Sequence, residues 1–127
     1  MKSILFAIMT FFFISSARSQ GGNQLIQELS QGHYKKVSRH FAPKLEICYG
    51  DEVYFLPKAK AASKFEKILK GLHPTSIKAL HKGVSDNRAS KYIIGEIKSS
   101  KGNHRIFIFA KKRDGRLVIQ EVRIEPF

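Results

Sequence analysis

Few side chains in this chain of 127 residues combine a reactive type with surroundings that would let them react. Glu96 stands within a predicted apolar strand, and a carboxyl group in an apolar cavity has a raised pKa and can act as an acid or a base. The alternative is that Glu96 lies near an open rim or pairs with Arg105 or Lys98, which would leave it no catalytic role. His33 and His40 are about 10 Å apart along a helix, too far for one metal ion. We therefore assign no catalytic residue, no metal ligand and no cofactor.

A second group of candidates surrounds Asp114-Gly115, a dipeptide typical of a tight hairpin. This basic cluster comprises Lys111, Lys112, Arg113 and Arg116. A cationic tip of this kind could bind phosphate groups on an anionic envelope surface. The alternative is that the charges only protect strand edges and keep the protein soluble.

The amino-terminal residues have the pattern of a secretory signal peptide. Lys2 precedes an unbroken apolar run over residues 4–14, and Ala17 and Ser19 are the small residues that precede cleavage before Gln20. Cleavage after Ala17 is the second choice, and an uncleaved helix is the alternative. The run would extend about 17 Å as a helix, too short for a hydrocarbon core of about 30 Å. We predict an exported protein, periplasmic or extracellular, that does not span the membrane.

Removal of residues 1–19 would leave residues 20–127 as a single domain. It would hold 21 basic residues against the ten acidic ones, a net charge of +11. This charge favours anionic partners, and we expect no nucleic acid because it is the least available of them outside the cytoplasm. Cys48 has no second cysteine with which to form an internal disulfide. A buried free thiol is the first interpretation, and an intermolecular bridge is the alternative.

The elements that position these groups follow from the spacing of apolar residues. Residues 23–42 have helical spacing that predicts one helix stopping at Gly32 and a second ending before Pro43. Residues 44–49 and 53–56 alternate as two short strands. The side of the second helix that we expect to be buried carries Tyr34, Val37 and Phe41.

The most regular predicted helix begins at Pro57 and is closed by Gly71 and Pro74. Its apolar stripe comprises Ala61, Phe65, Ile68, Leu69 and Leu72. Its opposite side carries Lys60, Lys64 and Lys67. We interpret the lysines as a solvated face, with an anion-binding surface as the alternative. Four longer strands follow, over residues 77–84, 92–98, 105–112 and 118–124, and this order predicts an α+β fold with an antiparallel sheet packed on three helices.

The hairpin turns set a register from which the two faces of the sheet can be inferred. Centred on Asp114-Gly115, Phe107 faces Val122, and centred on Lys101-Gly102, Glu96 faces Phe107. One face then carries Tyr92, Ile94, Glu96, Phe107, Phe109, Gln120, Val122 and Ile124. The other carries Ile93, Ile97, Ile106, Ile108, Ala110 and Ile119. Because both faces are apolar and helices can cover only one, we predict a homodimer through the aliphatic second face.

The strands also carry a resemblance, in LHKG at 80–83, YIIG at 92–95, RIFIFAKK at 105–112 and IQEVRI at 119–124. In these stretches the chain resembles an uncharacterised family of small exported bacterial proteins that is similar to the nuclear transport factor 2-like superfamily. The resemblance covers nearly all of the mature chain. It implies a cone, in which a strongly bent sheet wraps round helices and leaves a pocket at its open end, and dimers through the sheet.

The superfamily also holds ketosteroid isomerase, which uses a carboxylate base with a tyrosine and a protonated carboxylic acid. Those residues cannot be placed in this chain, since no aspartate precedes Asp51 and Tyr34 is the one tyrosine on the early helices. We favour a non-enzymatic binding domain that takes a small amphiphilic or anionic ligand in the pocket. The residues predicted to line that pocket are Tyr34, Tyr92, Glu96, Phe107 and Gln120. The alternatives are a small lyase or isomerase of the ketosteroid isomerase type that uses Glu96, and an inhibitor or envelope accessory protein.

Overall fold

The computed structural model of the chain describes residues 20–85 and 89–127, with side chains from Gln24 onward. The predicted signal peptide lies outside these residues. Their elements, in chain order, are α1 (Gln20–Ser30), α2 (Tyr34–Ser38), β1 (Phe41–Tyr49), β2 (Glu52–Pro57), α3 (Lys58–Leu72), β3 (Pro74–Val84), β4 (Ser90–Ser99), β5 (His104–Arg113) and β6 (Arg116–Pro126). Within this described part, no helix is long and apolar enough to cross a membrane.

The predicted helices are present, with one correction at the second. Gly32 has a φ of 78° and ends the first helical segment, as its freedom in the left-handed region allows. Phe41 was expected on α2, but it begins β1 instead. Phe41 pairs with Ile119 of β6, so at this residue the chain has joined the sheet in place of a further helical turn.

Helix α3 has the buried stripe that its spacing predicts. Ala61, Phe65, Ile68, Leu69 and Leu72 are buried. Pro57 is its N-cap residue in an extended conformation, and His73 follows its end in the left-handed conformation with a φ of 53°. Helix α3 therefore lies with one face against the sheet and its lysine-bearing face outward.

The six strands form one sheet in the order β2-β1-β6-β5-β4-β3. All neighbouring pairs are antiparallel except β1 and β6, which run parallel. The sheet is therefore mixed, whereas the sequence predicted an antiparallel sheet. A parallel pair needs a long crossover, and here the whole chain from β2 to β5 supplies it.

The predicted assignment of the two sheet faces is wrong. The aliphatic residues Ile93, Ile97, Ile106, Ile108, Ala110 and Ile119 are buried beneath the helices, on what we call the inner face. Tyr92, Ile94, Phe107 and Phe109 are only partly buried and lie on the opposite, outer face. The aliphatic face is thus not available for a homodimer.

The error has a physical cause, which is a β-bulge in β6. Next to the turn, Ala110 pairs with Ile119 as predicted, but Phe109 pairs with Glu121, so that Gln120 is an extra residue. Beyond the bulge Phe107 therefore pairs with Arg123 and not with Val122. A shift of one residue moves every following side chain to the other face. Val122 and Ile124 consequently lie in the core, where both are fully buried.

The β4–β5 register also differs from the prediction, although its faces do not. Glu96 pairs with Arg105 and Ile94 with Phe107, because residues 100–103 form a four-residue connection where a two-residue turn was expected. A shift by two residues preserves the alternation of faces. The core beneath the sheet centres on Phe65, whose ring lies 5.3 Å from that of Phe41 and 6.3 Å from that of Tyr34.

Candidate functional site

The outer face carries three of the five residues predicted to bind a ligand, namely Tyr92, Glu96 and Phe107. The rings of Tyr92 and Phe107 are stacked with their centroids 6.1 Å apart. The Tyr92 hydroxyl is 3.1 Å from Nε2 of His81. Gly83 lies beneath the Tyr92 ring, and a Cβ at this position would collide with it. These residues form an aromatic surface cluster and not the lining of an interior pocket.

The other two predicted ligand residues do not join this aromatic cluster. Tyr34 is buried in the core on the inner side, where burial raises the pKa of its phenol and Lys70 opposes part of that effect. The amide of Gln120, the bulge residue, donates a hydrogen bond to the carbonyl of Val118 at 3.4 Å. The structure therefore does not bring the five residues together into one site.

Glu96 does not have the interior surroundings that an acid or base role required. It is half-buried on the outer face and stands opposite Arg105 in the β4–β5 pairing. This position matches the alternative in which its neighbour is a cation. The geometry that motivated a lyase or isomerase using Glu96 is absent.

Cys48 lies on the outer side of β1 as a buried free thiol. The thiol donates to Oε2 of Glu46 at 3.3 Å, and burial, followed by that carboxylate, raises its pKa. Glu46, Cys48 and Glu121 place ligand atoms within 4.8 Å of one another, close enough that they could hold a metal ion. Arg123 already donates to Glu121 at 2.7 Å, so the cluster is held by internal bonds.

The predicted basic cluster surrounds the hairpin turn at Asp114-Gly115, as the sequence predicts. Asp114 and Gly115 have φ values of 52° and 77°, the positive pair that a two-residue hairpin requires. Lys111, Lys112, Arg113 and Arg116 are all exposed around this turn. Of the four, Arg116 also lines a cleft. The binding of this tip to an anionic surface stays a prediction.

That cleft, which we call the arginine cleft, has a volume of about 540 Å³. It opens where the α2–β1 connection, the first residue of α3 and the start of β6 meet. Its lining comprises Arg39, His40, Phe41, Pro43, Lys58, Arg116, Leu117 and Val118. The Ile119 N–H donates to the His40 carbonyl at 2.6 Å, and Nζ of Lys58 donates to the Arg39 carbonyl at 3.1 Å. These bonds hold its walls together.

The charge of the arginine cleft is uncompensated. Among the residues that the structure describes, no acidic one lines it, and their two salt bridges, Lys70–Glu66 and Arg123–Glu121, lie elsewhere. Helix α3 begins in this cleft at Lys58, with no side-chain cap and no acidic residue in its first turn. A helix start in this state carries unpaired N–H groups and partial positive charge. The cleft therefore combines three cationic side chains, those of Arg39, Lys58 and Arg116, with an apolar lining.

A second cleft, which we call the lysine cleft, lies at the other end of α3 and has a volume of about 510 Å³. It is bounded by the β1–β2 turn, the second half of α3 and the β4–β5 connection. Its lining comprises Tyr49, Glu52, Lys64, Lys67, Ile68, Gly71, Leu72, Lys101 and His104. Three lysines thus converge on it from two elements.

A groove on the outer face, of about 340 Å³, is lined by Ile94, Arg105, Phe107, Glu121, Arg123 and Glu125. Two arginines and two glutamates therefore flank an apolar strip. Phe107 is the one predicted ligand residue that lines it, since Tyr92 and Glu96 do not.

Arg39 and Lys58 were not among the predicted site residues. Each stands at the boundary of an element, as Arg116 does. At the arginine cleft the first residue of α3 meets residues of the α2–β1 connection and of the start of β6. Basic residues at element boundaries were the signal in the sequence that could have indicated this cleft.

The order of elements and the mixed six-stranded sheet on three helices define the nuclear transport factor 2-like cone fold, as predicted from the resemblance. The protein Rd1NTF2_05 with long sheet has this fold and is similar to the chain, with a TM-score of 0.64 and 20% identity over 89% of this chain and 98% of its own. More particularly, the family model described as Domain of unknown function (DUF4783) matches residues 23–125. The chain belongs to this family.

Crystal structures of two DUF4783 family proteins are similar to the chain. That from Bacteroides ovatus has a TM-score of 0.76 and 21% identity, and the match covers 84% of this chain and 94% of that protein. That from Bacteroides uniformis has a TM-score of 0.77 and 20% identity, covering 84% and 97%. At these identities the likeness shows the fold alone. No curated protein matches the chain.

Proposed function

We propose that this chain is an exported, non-enzymatic binding domain whose arginine cleft takes a small anionic amphiphile. The observation that carries the proposal is the cleft itself, which pairs Arg39, Lys58 and Arg116 with an apolar lining and, within residues 20–85 and 89–127, has no acidic residue. Its volume of about 540 Å³ falls within the usual range for small-molecule pockets. The ligand site is thus at one end of the helix layer and not among the five residues predicted from the sequence.

The acidic head and the alkyl chain of the proposed ligand each have a physical reason. Arginine guanidinium groups form bidentate hydrogen bonds with phosphate or carboxylate oxygens, and these charged hydrogen bonds are stronger than neutral ones. Leu117 and Val118 are partly exposed and offer apolar surface, on which each buried methylene contributes about 0.8 kcal/mol. A ligand with an acidic head and a short alkyl chain satisfies both.

The first prediction concerns the affinity for octyl phosphate, measured by isothermal titration calorimetry. We expect octyl phosphate to bind at least about 10-fold more tightly than inorganic phosphate, since burial of two methylenes alone gives that factor. It should bind at least about 10-fold more tightly than octanol too, since one charged hydrogen bond contributes about 1.5–3 kcal/mol. The double variant Arg39→Gln with Arg116→Gln should weaken binding by about 100-fold or more, because each of the two lost charged hydrogen bonds contributes about 1.5–3 kcal/mol.

The matched control is Lys111→Gln with Arg113→Gln. It removes the same charge from the same end of the molecule, at positions that do not line the cleft. We expect its affinity to equal that of the wild type. An equal loss in both double variants would show that general charge attraction, and not the arginine cleft, binds the ligand.

Export is supported by the apolar run over residues 4–14 and the small residues before Gln20. The expected result of amino-terminal sequencing of the protein recovered outside the cytoplasm is a chain that begins at Gln20 or at Arg18. Recovery of the chain from cells with Met1 and the apolar run intact would contradict export.

The homodimer predicted from the sequence moves, in this proposal, to the outer face. The groove there has equal numbers of arginines and glutamates, so a second copy can place its own charges in complementary positions. Four of the ten acidic residues, Glu46, Glu96, Glu121 and Glu125, lie on this face. They offset the basic charge that opposes self-association elsewhere.

We expect light scattering at micromolar concentrations to give twice the monomer mass for the wild type. Ile94→Asp should give a monomer, because it places a carboxylate in the centre of the interface. Gln27→Asp, which adds the same charge on the exposed side of α1, should leave the dimer intact. A wild-type monomer, or a dimer that Ile94→Asp does not dissociate, would refute the placement.

A further inference from the structure

The lysine cleft has a chemistry that differs from that of the arginine cleft. It contains one acidic residue, Glu52, and one deeply buried polar ring, His104, in addition to its three lysines. Helix α3 has 15 residues and extends about 22 Å, so the two clefts are separated by roughly the length of the helix. A ligand in the lysine cleft would therefore be independent of the amphiphile proposed above.

One cation of the lysine cleft is held in place, and none of the three forms a salt bridge with another described residue. Lys64 and Lys67 stand about one helical turn apart on α3, and Lys101 faces them from the β4–β5 connection. Nζ of Lys64 lies 4.1 Å from the centroid of the Tyr54 ring, a cation–π contact that fixes this side chain. Neither salt bridge of the described residues involves these three lysines. They can neutralise one acidic group.

The remaining polar groups of the lysine cleft can accept hydrogen bonds from the hydroxyl groups of a ligand. The Nδ1 atom of His104 is 3.2 Å from the Gly102 carbonyl, which can only accept, so Nδ1 carries the proton. In the neutral ring Nε2 is then an acceptor, and it has no hydrogen-bond partner among the described residues. Glu52 accepts from the Tyr54 hydroxyl at 2.7 Å and has further acceptor capacity. Tyr49 adds a half-buried aromatic ring on which a sugar ring can pack.

The presence of a glycine at residue 71 is not explained by the fold. It lies inside α3, where a glycine is less favourable than alanine by about 1 kcal/mol. Its φ is not positive, and a Cβ built on it meets no atom within 4 Å. The left-handed position that favours glycine is two residues further on and is occupied by His73. A side chain at residue 71 would enter open space at the cleft, so the glycine keeps that space free.

From these contacts we propose that the lysine cleft binds a hydroxylated anion, namely a saccharide that carries a phosphate or a carboxylate. The lysines take the acidic group, while His104 and Glu52 accept hydrogen bonds from sugar hydroxyls. The Tyr49 ring packs against the face of the sugar. Gly71 leaves room for it.

The test is calorimetric titration with glucose 6-phosphate, glucuronate, glucose and inorganic phosphate. We expect at least one of the two charged sugars to bind at least about 10-fold more tightly than both glucose and inorganic phosphate. Only the charged sugars can contact the lysines with an acidic group and His104 and Glu52 with hydroxyl groups. The charged sugar that binds identifies phosphate or carboxylate as the acidic group. If neither exceeds inorganic phosphate, the proposal is wrong.

Two variants locate the site. Gly71→Leu adds a side chain whose Cβ meets no atom within 4 Å and raises helix propensity, so it should stay folded and lose binding. Lys67→Gln with Lys101→Gln should weaken binding by about 10-fold or more. The charge-matched control, Lys36→Gln with Lys78→Gln, lies outside the cleft and should bind as the wild type does. Unchanged binding by Gly71→Leu, or an equal loss in the control, would overturn the proposal.

The arginine cleft provides an independent check. The double variant Arg39→Gln with Arg116→Gln should retain full affinity for the charged sugar, since neither residue lines the lysine cleft. A loss in this variant would place the sugar in the arginine cleft and would refute a second site.

Discussion

The bulge at Gln120 is the constraint on which the rest of the structure depends. Ile119 and Val122 are three residues apart, whereas side chains on one face of a regular strand are two apart. The extra residue brings both onto the inner face together with Ile124. In a regular strand continuing from the turn, Glu121 and Arg123 would instead lie among Ile106 and Ile108. Burying charges in that apolar layer costs several kcal/mol, a large fraction of the stability of a small domain.

A filled interior follows from this arrangement. The inner face meets α1, α2 and α3 through a continuous cluster around Phe65, so the centre of the cone is occupied by side chains. Open space then occurs at the two ends of α3, where helix ends and strand ends meet. Both of these clefts are cationic, which agrees with the excess of 23 basic over 10 acidic residues in the chain. The outer face carries acidic, basic and aromatic residues together.

Much of the fold could be predicted because its signals are local. The stripe of α3, the hairpin at Asp114-Gly115 and the order of elements follow from apolar spacing and turn chemistry within a few residues. Pairing between distant strands has no such signal, so the parallel contact of β1 with β6 was not predicted. The bulge was predictable in principle from the interval between Ile119 and Val122. Assuming regular alternation instead inverted the two faces and misplaced the pocket.

The site could be predicted only in part for a related reason. Arg116 was identified because its basic neighbours are adjacent in sequence, whereas Arg39 and Lys58 join it through the tertiary fold. A pocket on the aromatic face would bring Tyr34 and Tyr92 together. Because the aliphatic face is the buried one, Tyr34 lies on the inner side of the sheet and Tyr92 on the outer side. Single aromatic or charged residues carry no information on which face of a curved sheet is covered. That information lies in the register.

The most direct test of this account compares two neighbouring residues of β5 on opposite faces. Chemical denaturation followed by circular dichroism should show that Ile108→Asp abolishes cooperative unfolding, because it buries an unpaired carboxylate beneath the helices. Phe107→Asp should retain a cooperative transition, because its side chain lies on the outer face. The opposite result, a folded Ile108→Asp and an unfolded Phe107→Asp, would contradict the assignment of the faces and with it the location of both clefts.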